Sequence, residues 1–210
     1  MKDDIKKYEM IDYFIGKNSK IIVNIGSLGY PNPKDTIISL HDWLKKKYNS
    51  KLMGVDFRQH ENIDVYQDPK DSKIALQDEY ADVLIMDGVL EHSYKPLDTL
   101  EECYRILKPN GTLIVTTSNS TSILYLFGVM KYGFENQVCY AWNMSMFSNL
   151  VRNTKFNIVY QDDFDVLGEN FISKVLRGML AIFPVLRTNF ITVLRKPSEY
   201  ESLFKGTKVK

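Results

Sequence analysis

Apolar residues along this chain gather in short runs, each bounded by polar or turn-forming residues. Seven runs read as strands: 20–25 (KIIVNI), 51–55 (KLMGV), 63–66 (IDVY), 82–86 (DVLIM), 112–117 (TLIVTT), 156–160 (FNIVY) and 190–195 (FITVLR). They are short and rich in β-branched residues, as strands are. Helical spacing fills several of the gaps. Over 35–48, Ile37, Leu40, Leu44 and Tyr48 recur on one face, and Asp35 or Thr36 can cap the start. Over 97–107, Leu97, Leu100, Tyr104 and Leu107 do the same, with Asp98 near the cap; Lys108-Pro109-Asn110-Gly111 then stops the helix and turns the chain. A third helix fits 145–153, where Ser145 precedes Phe147, Leu150 and Val151, and a fainter pattern marks 3–15.

Strand alternating with helix implies an α/β fold, a parallel sheet covered on both faces. Crossovers in such sheets are right-handed, and ligands bind beyond the carboxyl ends of the strands, where the strand order reverses. The residues that follow each strand therefore carry the chemistry: Gly26, Asp56, Asp68 and Asp87.

Composition narrows the class. The chain has 210 residues, 44% hydrophobic and 25% charged, with a net charge of +1. One domain over 1–210 is expected, with an N-terminal helix in 1–18 and with 120–150 and 165–188 as acceptor-side or cover elements. The near-neutral charge gives no reason to expect a nucleic-acid partner. Cys103 and Cys139 are too few for a disulfide framework and read as reduced thiols. The start of the chain shows no apolar signal-peptide core. The uncharged stretch 110–130 is broken by Gly, Asn, Ser and Thr, so stable membrane insertion is not expected. A cytoplasmic protein is the expectation.

At the first strand end, Gly26-Ser27-Leu28-Gly29 allows a tight turn whose free amide N–H groups would face a carboxylate or phosphate; an ordinary loop is the competing reading. At the second, Asp56 can accept two hydrogen bonds from ribose hydroxyls, and Phe57 beside it can stack on a purine. Asp56 lies 30 residues beyond Gly26, a spacing lengthened by the proline-containing loop before the helix. Asp68, before Pro69, is a candidate for an adenine amino group or a plain turn residue.

The stretch "ADVLIMDGVLEHSYKPLDTLEECYRILKPNGTLIVTTSN", 81–119, resembles the central segment of class I S-adenosylmethionine-dependent methyltransferases, of the type 11 kind. The matching elements are Leu90-Glu91-His92, Arg105-Ile106-Leu107-Lys108-Pro109-Asn110-Gly111 and Ser118-Asn119. The resemblance spans about 20–119 and, more loosely, 140–195. It implies a Rossmann-like three-layer sandwich with a seven-stranded, mostly parallel sheet whose last strand is antiparallel. It implies S-adenosylmethionine as cofactor, with Asn24, Gly26, Ser27 and Gly29 at its methionine end and Asp56 on the ribose. Phe57 and Asp68 would then flank the adenine, and Asp87 and Gly88 the sulfonium. The family turn is close to D-x-G-x-G-x-G; here Asn24 replaces the acid, and Leu28 and Tyr30 replace two glycines unless Gly29 serves as the second.

His92 is a candidate general base, with a structural role as the alternative. Tyr140 and Trp142 are candidates for an acceptor pocket or for core packing. Methyl transfer from a sulfonium needs alignment more than acid–base help, and no metal. The apolar residues Val175, Leu176, Met179, Leu180 and Phe183 read as a core-facing helix, or as one resting on a membrane or lipid-linked acceptor. The expected activity is methylation of a small-molecule or glycan/lipid-linked acceptor, most simply on oxygen. The alternatives are a catalytically silent methyltransferase-like scaffold and a nicotinamide-dependent reductase.

Overall fold

The computed structural model describes residues 2–29, 39–48, 51–58, 60, 63–68, 70–132, 139–165, 178, 180 and 182–198. Seven strands form one sheet in the order β3-β2-β1-β4-β5-β7-β6. They are β1 (Ile22–Ile25), β2 (Leu52–Asp56), β3 (Val65–Tyr66), β4 (Ala81–Asp87), β5 (Leu107–Ser118), β6 (Asn157–Phe164) and β7 (Asn189–Arg195). Strands β1 to β5 pair in parallel; β7 runs antiparallel to both β5 and β6. This is the expected Rossmann-like sheet with its last strand reversed. Order changes direction between β1 and β4, which creates the crevice that open α/β sheets use for ligands.

Side chains alternate between two cores, as the period of two in a strand demands. Ile22, Val83, Ile85 and Ile114 face α1 (Lys2–Ile15) and α2 (Leu40–Tyr48). Val23, Ile25, Leu84, Met86 and Val115 face α3 (Pro96–Ile106) and α5 (Met144–Val151). The central strands are therefore apolar on both faces, which is why they read as continuous runs.

Several boundaries differ from expectation. The cap of α2 is Ser39, whose Oγ accepts from the Asp42 amide at 3.0 Å; Asp35 and Thr36 lie outside the described residues. Asn143, not Ser145, caps α5 by accepting from the Met146 amide. Residues 108–111 do not end the element after α3. They lie within β5 as an irregularity, where pairing passes from Ala81–Leu107 to Val83–Thr112 and Asn110 takes φ +65°. The strand β3 is only two residues long. The helix α4 (Ile123–Tyr132) was not anticipated: ILYLFGVMKY has no polar face to give it a period.

No described helix is long and apolar enough to cross a membrane. Of the expected helix around 171–187, Leu180 is buried but Phe183 is exposed, contrary to a core-facing role; Val175, Leu176 and Met179 lie outside the described residues.

Candidate active site

The turn after β1 is built by two glycines in the left-handed region, Gly26 at φ +75° and Gly29 at +60°. Leu28 is not forced into that region, so the turn takes Gly29 as its second glycine and carries no strain at Leu28. Its amides are not free, contrary to expectation. Gly26 and Ser27 both donate to the Val55 carbonyl (2.7 and 3.1 Å) and Gly29 to the Gly26 carbonyl (3.0 Å). The Leu28 amide donates to Asp56 Oδ2 at 2.9 Å. A β-carbon on Gly26 would stand 2.5 Å from Val89 Cγ2. The ends of β1 and β4 thus approach each other directly.

Asp56 closes β2 and is buried. Besides Leu28 it holds Arg58, whose amide and Nε donate to Oδ1 at 3.0 and 3.1 Å. Arg58 Nη2 reaches Oδ2 at 3.3 Å and the Gly29 carbonyl at 2.5 Å. Phe57 is 50% exposed beside this pair, with the guanidinium carbon 5.5 Å from its ring centroid. Asp68 lies on the same edge, because the Gln67 amide donates to the Asp56 carbonyl at 3.0 Å. Its own carboxylate accepts from the Lys70 amide at 2.9 Å, as a turn residue does.

Asp87, at the end of β4, accepts from Lys7 of α1 at 2.8 Å and from the Thr116 hydroxyl. Gly88 follows at φ +66°. The next residues form a single 3-10 turn, Leu90–His92, which brings in Glu91, the middle residue of the Leu90-Glu91-His92 motif. Glu91 is buried, accepts from Thr117 Oγ1 at 2.8 Å, and has its pKa raised by loss of solvent. Its Oε1 lies 3.7 Å from where a Gly88 β-carbon would be. The Cys139 and Tyr140 amides donate to the Glu91 carbonyl (2.8 and 3.1 Å), which lays residues 139–142 over this turn. Trp142 packs in the core as its bland reading held, and Tyr140 stacks on it at 5.3 Å, half exposed.

Comparison with known proteins agrees with this geometry. The methyltransferase-domain family model matches residues 39–115. A S-adenosylmethionine-dependent methyltransferase of Archaeoglobus fulgidus is 17% identical, with a TM-score of 0.66, covering 92% of this chain and 94% of its own. A second, from Aquifex aeolicus, is 13% identical with a TM-score of 0.57, covering 90% and 89%. The [4+2]-cyclase SpnF is 12% identical with a TM-score of 0.62, covering 92% and 80%. No curated protein sequence matches the chain. Residues 39–115 thus resemble the methyltransferase-domain family, and the chain as a whole shares the fold of S-adenosylmethionine-dependent methyltransferases. The family's cofactor is S-adenosylmethionine. The matched segment begins at residue 39, past the glycine turn, so the part of the chain that departs from D-x-G-x-G-x-G is the part outside the match.

Buried Asp56, exposed Phe57 and Asp68 share one strand-end corner, a residue set whose chemistry would fit the nucleoside end of S-adenosylmethionine. The methionine end is altered. Asn24 shares the strand face of Ile22 and pairs with Gly54 in register, so it points toward α2. Asn24 Oδ1, Ser27 Oγ and His41 Nδ1 are buried around Gly54 without a hydrogen-bond partner among the described residues. Burial lowers the His41 pKa, against the pull of Asp42. His41 went unnoticed in the sequence, although a histidine between Leu40 and Leu44 on a core-facing helix is its own signal. Among the described residues no cluster of three or more His, Cys, Asp or Glu could hold a metal. An open cleft of about 660 Å³ lined by Asp71, Ile74, Asp78 and Arg105 runs from the Asp68 turn, where the Asp71 amide donates to the Asp68 carbonyl at 3.0 Å, to the amino end of β4.

Proposed function

We propose that this methyltransferase transfers the S-adenosylmethionine methyl group to a hydroxyl oxygen of a small-molecule or glycan/lipid-linked acceptor in the cytoplasm. The observation that carries the reading is the Asp56–Phe57 pair at the end of β2, one turn away from Gly26–Gly29 and across the crevice from Gly88. In this reading Asp56 accepts from the ribose hydroxyls, Phe57 covers the adenine, and Asp68 meets its amino group. Asn24, Gly26, Ser27 and Gly29 take the methionine end, and Asp87 and Gly88 the sulfonium end. Arg58 must leave Asp56, and Lys7 must loosen from Asp87, for the cofactor to seat.

Bound cofactor supplies an electrophilic methyl group; the chain's contribution is alignment and exclusion of water. An oxygen nucleophile needs a proton acceptor, and Glu91 and His92 stand at the Gly88 end of the crevice. Burial raises the Glu91 pKa, so its carboxylate, once ionised, binds a proton more tightly than an exposed one. The elements in 120–150 and 165–188 form the acceptor side, since residues 139–142 overlie Glu91 and the segment after Asn119 leaves from the same edge.

Titration of the purified protein with S-adenosylmethionine or S-adenosylhomocysteine tests the reading by heat and by thermal shift. Saturable binding supports it. Folded protein that gives neither heat nor shift at millimolar cofactor favours the second reading, a scaffold that keeps the fold and has lost the cofactor. That second reading has its own support: the occupied turn amides, the two cations on Asp56 and Asp87, and the contact of Gly26 with Val89.

A further inference from the structure

The sheet ends on β6, whose outer edge has no strand beside it among the described residues. Three consecutive apolar residues lie along that edge: Ile158, Val159 and Tyr160 are 38%, 50% and 37% exposed. On the α1 side, Phe14 packs on the Tyr160 ring at 4.8 Å, and Tyr13, 80% exposed, meets Phe14 edge-on at 5.1 Å. The apolar strip thus runs from the strand onto the helix. An edge strand of eight residues with an apolar middle is a template for a further strand. The opposite edge strand, β3, has two residues and offers no such template.

Charge and pleat together select the occupant. Lys155 precedes β6, and Asp162 and Asp163 stand near its end. Lys155 lies 6.0 Å from the Tyr104 ring centroid and pairs with no carboxylate among the described residues. Asp162 accepts from the Tyr160 hydroxyl at 3.1 Å and the Asp163 amide at 2.9 Å, and pairs with no cation among them. An antiparallel copy of the same strand reverses this order and matches both ends at once. The register follows from the faces. Phe156 and Ile158 lie on the α3/α5 face, since Phe156 joins that core and Ile158 pairs with Leu194 of it. Gln161 lies there too, its Oε1 accepting from the Ser148 hydroxyl of α5 at 3.0 Å. Tyr160 pairs with Val193 of the opposite core, and Asn157 with Arg195, on that same face. The pairing with β7 skips Val159, a bulge between Ile158 and Tyr160. A two-fold axis between Ile158 and Val159 therefore sets Phe156 against Gln161 and Asn157 against Tyr160, each pair on one face, as a continuous pleat requires. The same axis sets Ile158 against Val159 and Lys155 against Asp162, each twice. An axis through Val159 would instead oppose Ile158 and Tyr160, which lie on different faces.

We infer that β6 pairs antiparallel with β6 of a second copy of this chain, about a two-fold axis between Ile158 and Val159, so that the two sheets become one. The crevice beside β4 lies three strands inward in each copy, so this pairing does not cover it. The inference stands apart from the methyl-transfer reading, because self-association is measured without cofactor.

Sedimentation equilibrium of the full chain, from dilute to concentrated solution, tests it. The mass is expected to rise with concentration to twice that of the chain. Lys155→Asp and Asp162→Lys should each weaken the dimer about tenfold, because each reversal turns two attractions into two repulsions. Lys155→Asp combined with Asp162→Lys restores the attraction with its signs exchanged and should return the dimer to nearly the parent's strength. Val159→Lys brings two like charges together at the axis and should abolish association, whereas Tyr66→Lys, on the opposite edge strand, should leave it unchanged. Circular dichroism checks each variant, and those with the parent's thermal midpoint in dilute solution are compared. A parent chain that stays monomeric at the highest concentration overturns the inference. So does a dimer that the folded Lys155→Asp, Asp162→Lys and Val159→Lys proteins all keep. Single reversals that weaken the dimer with no rescue in the double variant overturn it as well, since Lys155 and Asp162 then do not face each other.

Discussion

In the proposed reading cofactor affinity turns on Asp56, whose partner in the structure is Arg58. A buried carboxylate with a guanidinium on both oxygens is satisfied already, so ribose hydroxyls gain only the difference between themselves and Arg58. Two consequences can be measured. Asp56→Asn keeps an acceptor for the Leu28 amide but loses the charge, and should weaken cofactor binding roughly 10- to 100-fold, the worth of two hydrogen bonds to a charged group after their competition. Arg58→Ala should act in the opposite sense on binding: apo stability falls, because a buried carboxylate loses its counter-charge, and the thermal shift on adding S-adenosylhomocysteine grows. Equal shifts in parent and Arg58→Ala protein would show that the guanidinium does not compete. Asp56 was legible in the sequence because a strand end fixes where its side chain goes. Arg58 sits two residues away, but its return onto Asp56 depends on the Gly29 carbonyl, which only the folded turn provides. Lys7 is 80 residues from Asp87 and carries no local signal at all.

At the scale of elements, the approach of the β1 turn to the segment after β4 is the tightest constraint on the crevice. Gly26→Ala should cost about 2–4 kcal/mol, combining a left-handed φ with a 2.5 Å collision against Val89. Adding Val89→Ala removes the collision and leaves the backbone term. The double variant should therefore be more stable than Gly26→Ala alone, a coupling that urea unfolding of the four proteins measures directly. Additive losses would mean that Val89 is not what the new β-carbon meets. The central strands were readable because both of their faces are buried; Ile22 and Val23, or Val83 and Leu84, each belong to a different core. The helix α4 was unreadable for the converse reason. It is apolar on every side yet packs with only part of its surface, so no amphipathic period marks it. The turn residues Lys108–Gly111 signalled a break correctly, but pairing with β4 on either side absorbed the break into β5.

Across the whole molecule, buried ionisable groups give the fold opposing pH dependences. His41 has a depressed pKa, so its contribution is present above the ordinary histidine value near 6.5 and is lost as pH falls toward its folded value. Glu91 and Asp163 work the other way. Burial raises both, and Asp162 adds to the shift of Asp163, which is pushed up to about 6. Their unfolded forms ionise near the usual carboxylate values while the folded forms still hold protons. Stability from these two groups is therefore full below about pH 4 and declines as pH rises through their folded pKa values. Glu91→Gln isolates one of them. Glutamine keeps an acceptor for Thr117 and cannot ionise, so its stability advantage over the parent should be absent at acid pH and grow toward neutrality. Thermal midpoints of both proteins from pH 4 to about 8 give the difference, in which His41 and Asp163 cancel. A difference that stays flat with pH would mean that Glu91 is ionised at its ordinary value in the folded protein. The proton-acceptor role proposed for it would then lose its physical basis, whatever the acceptor.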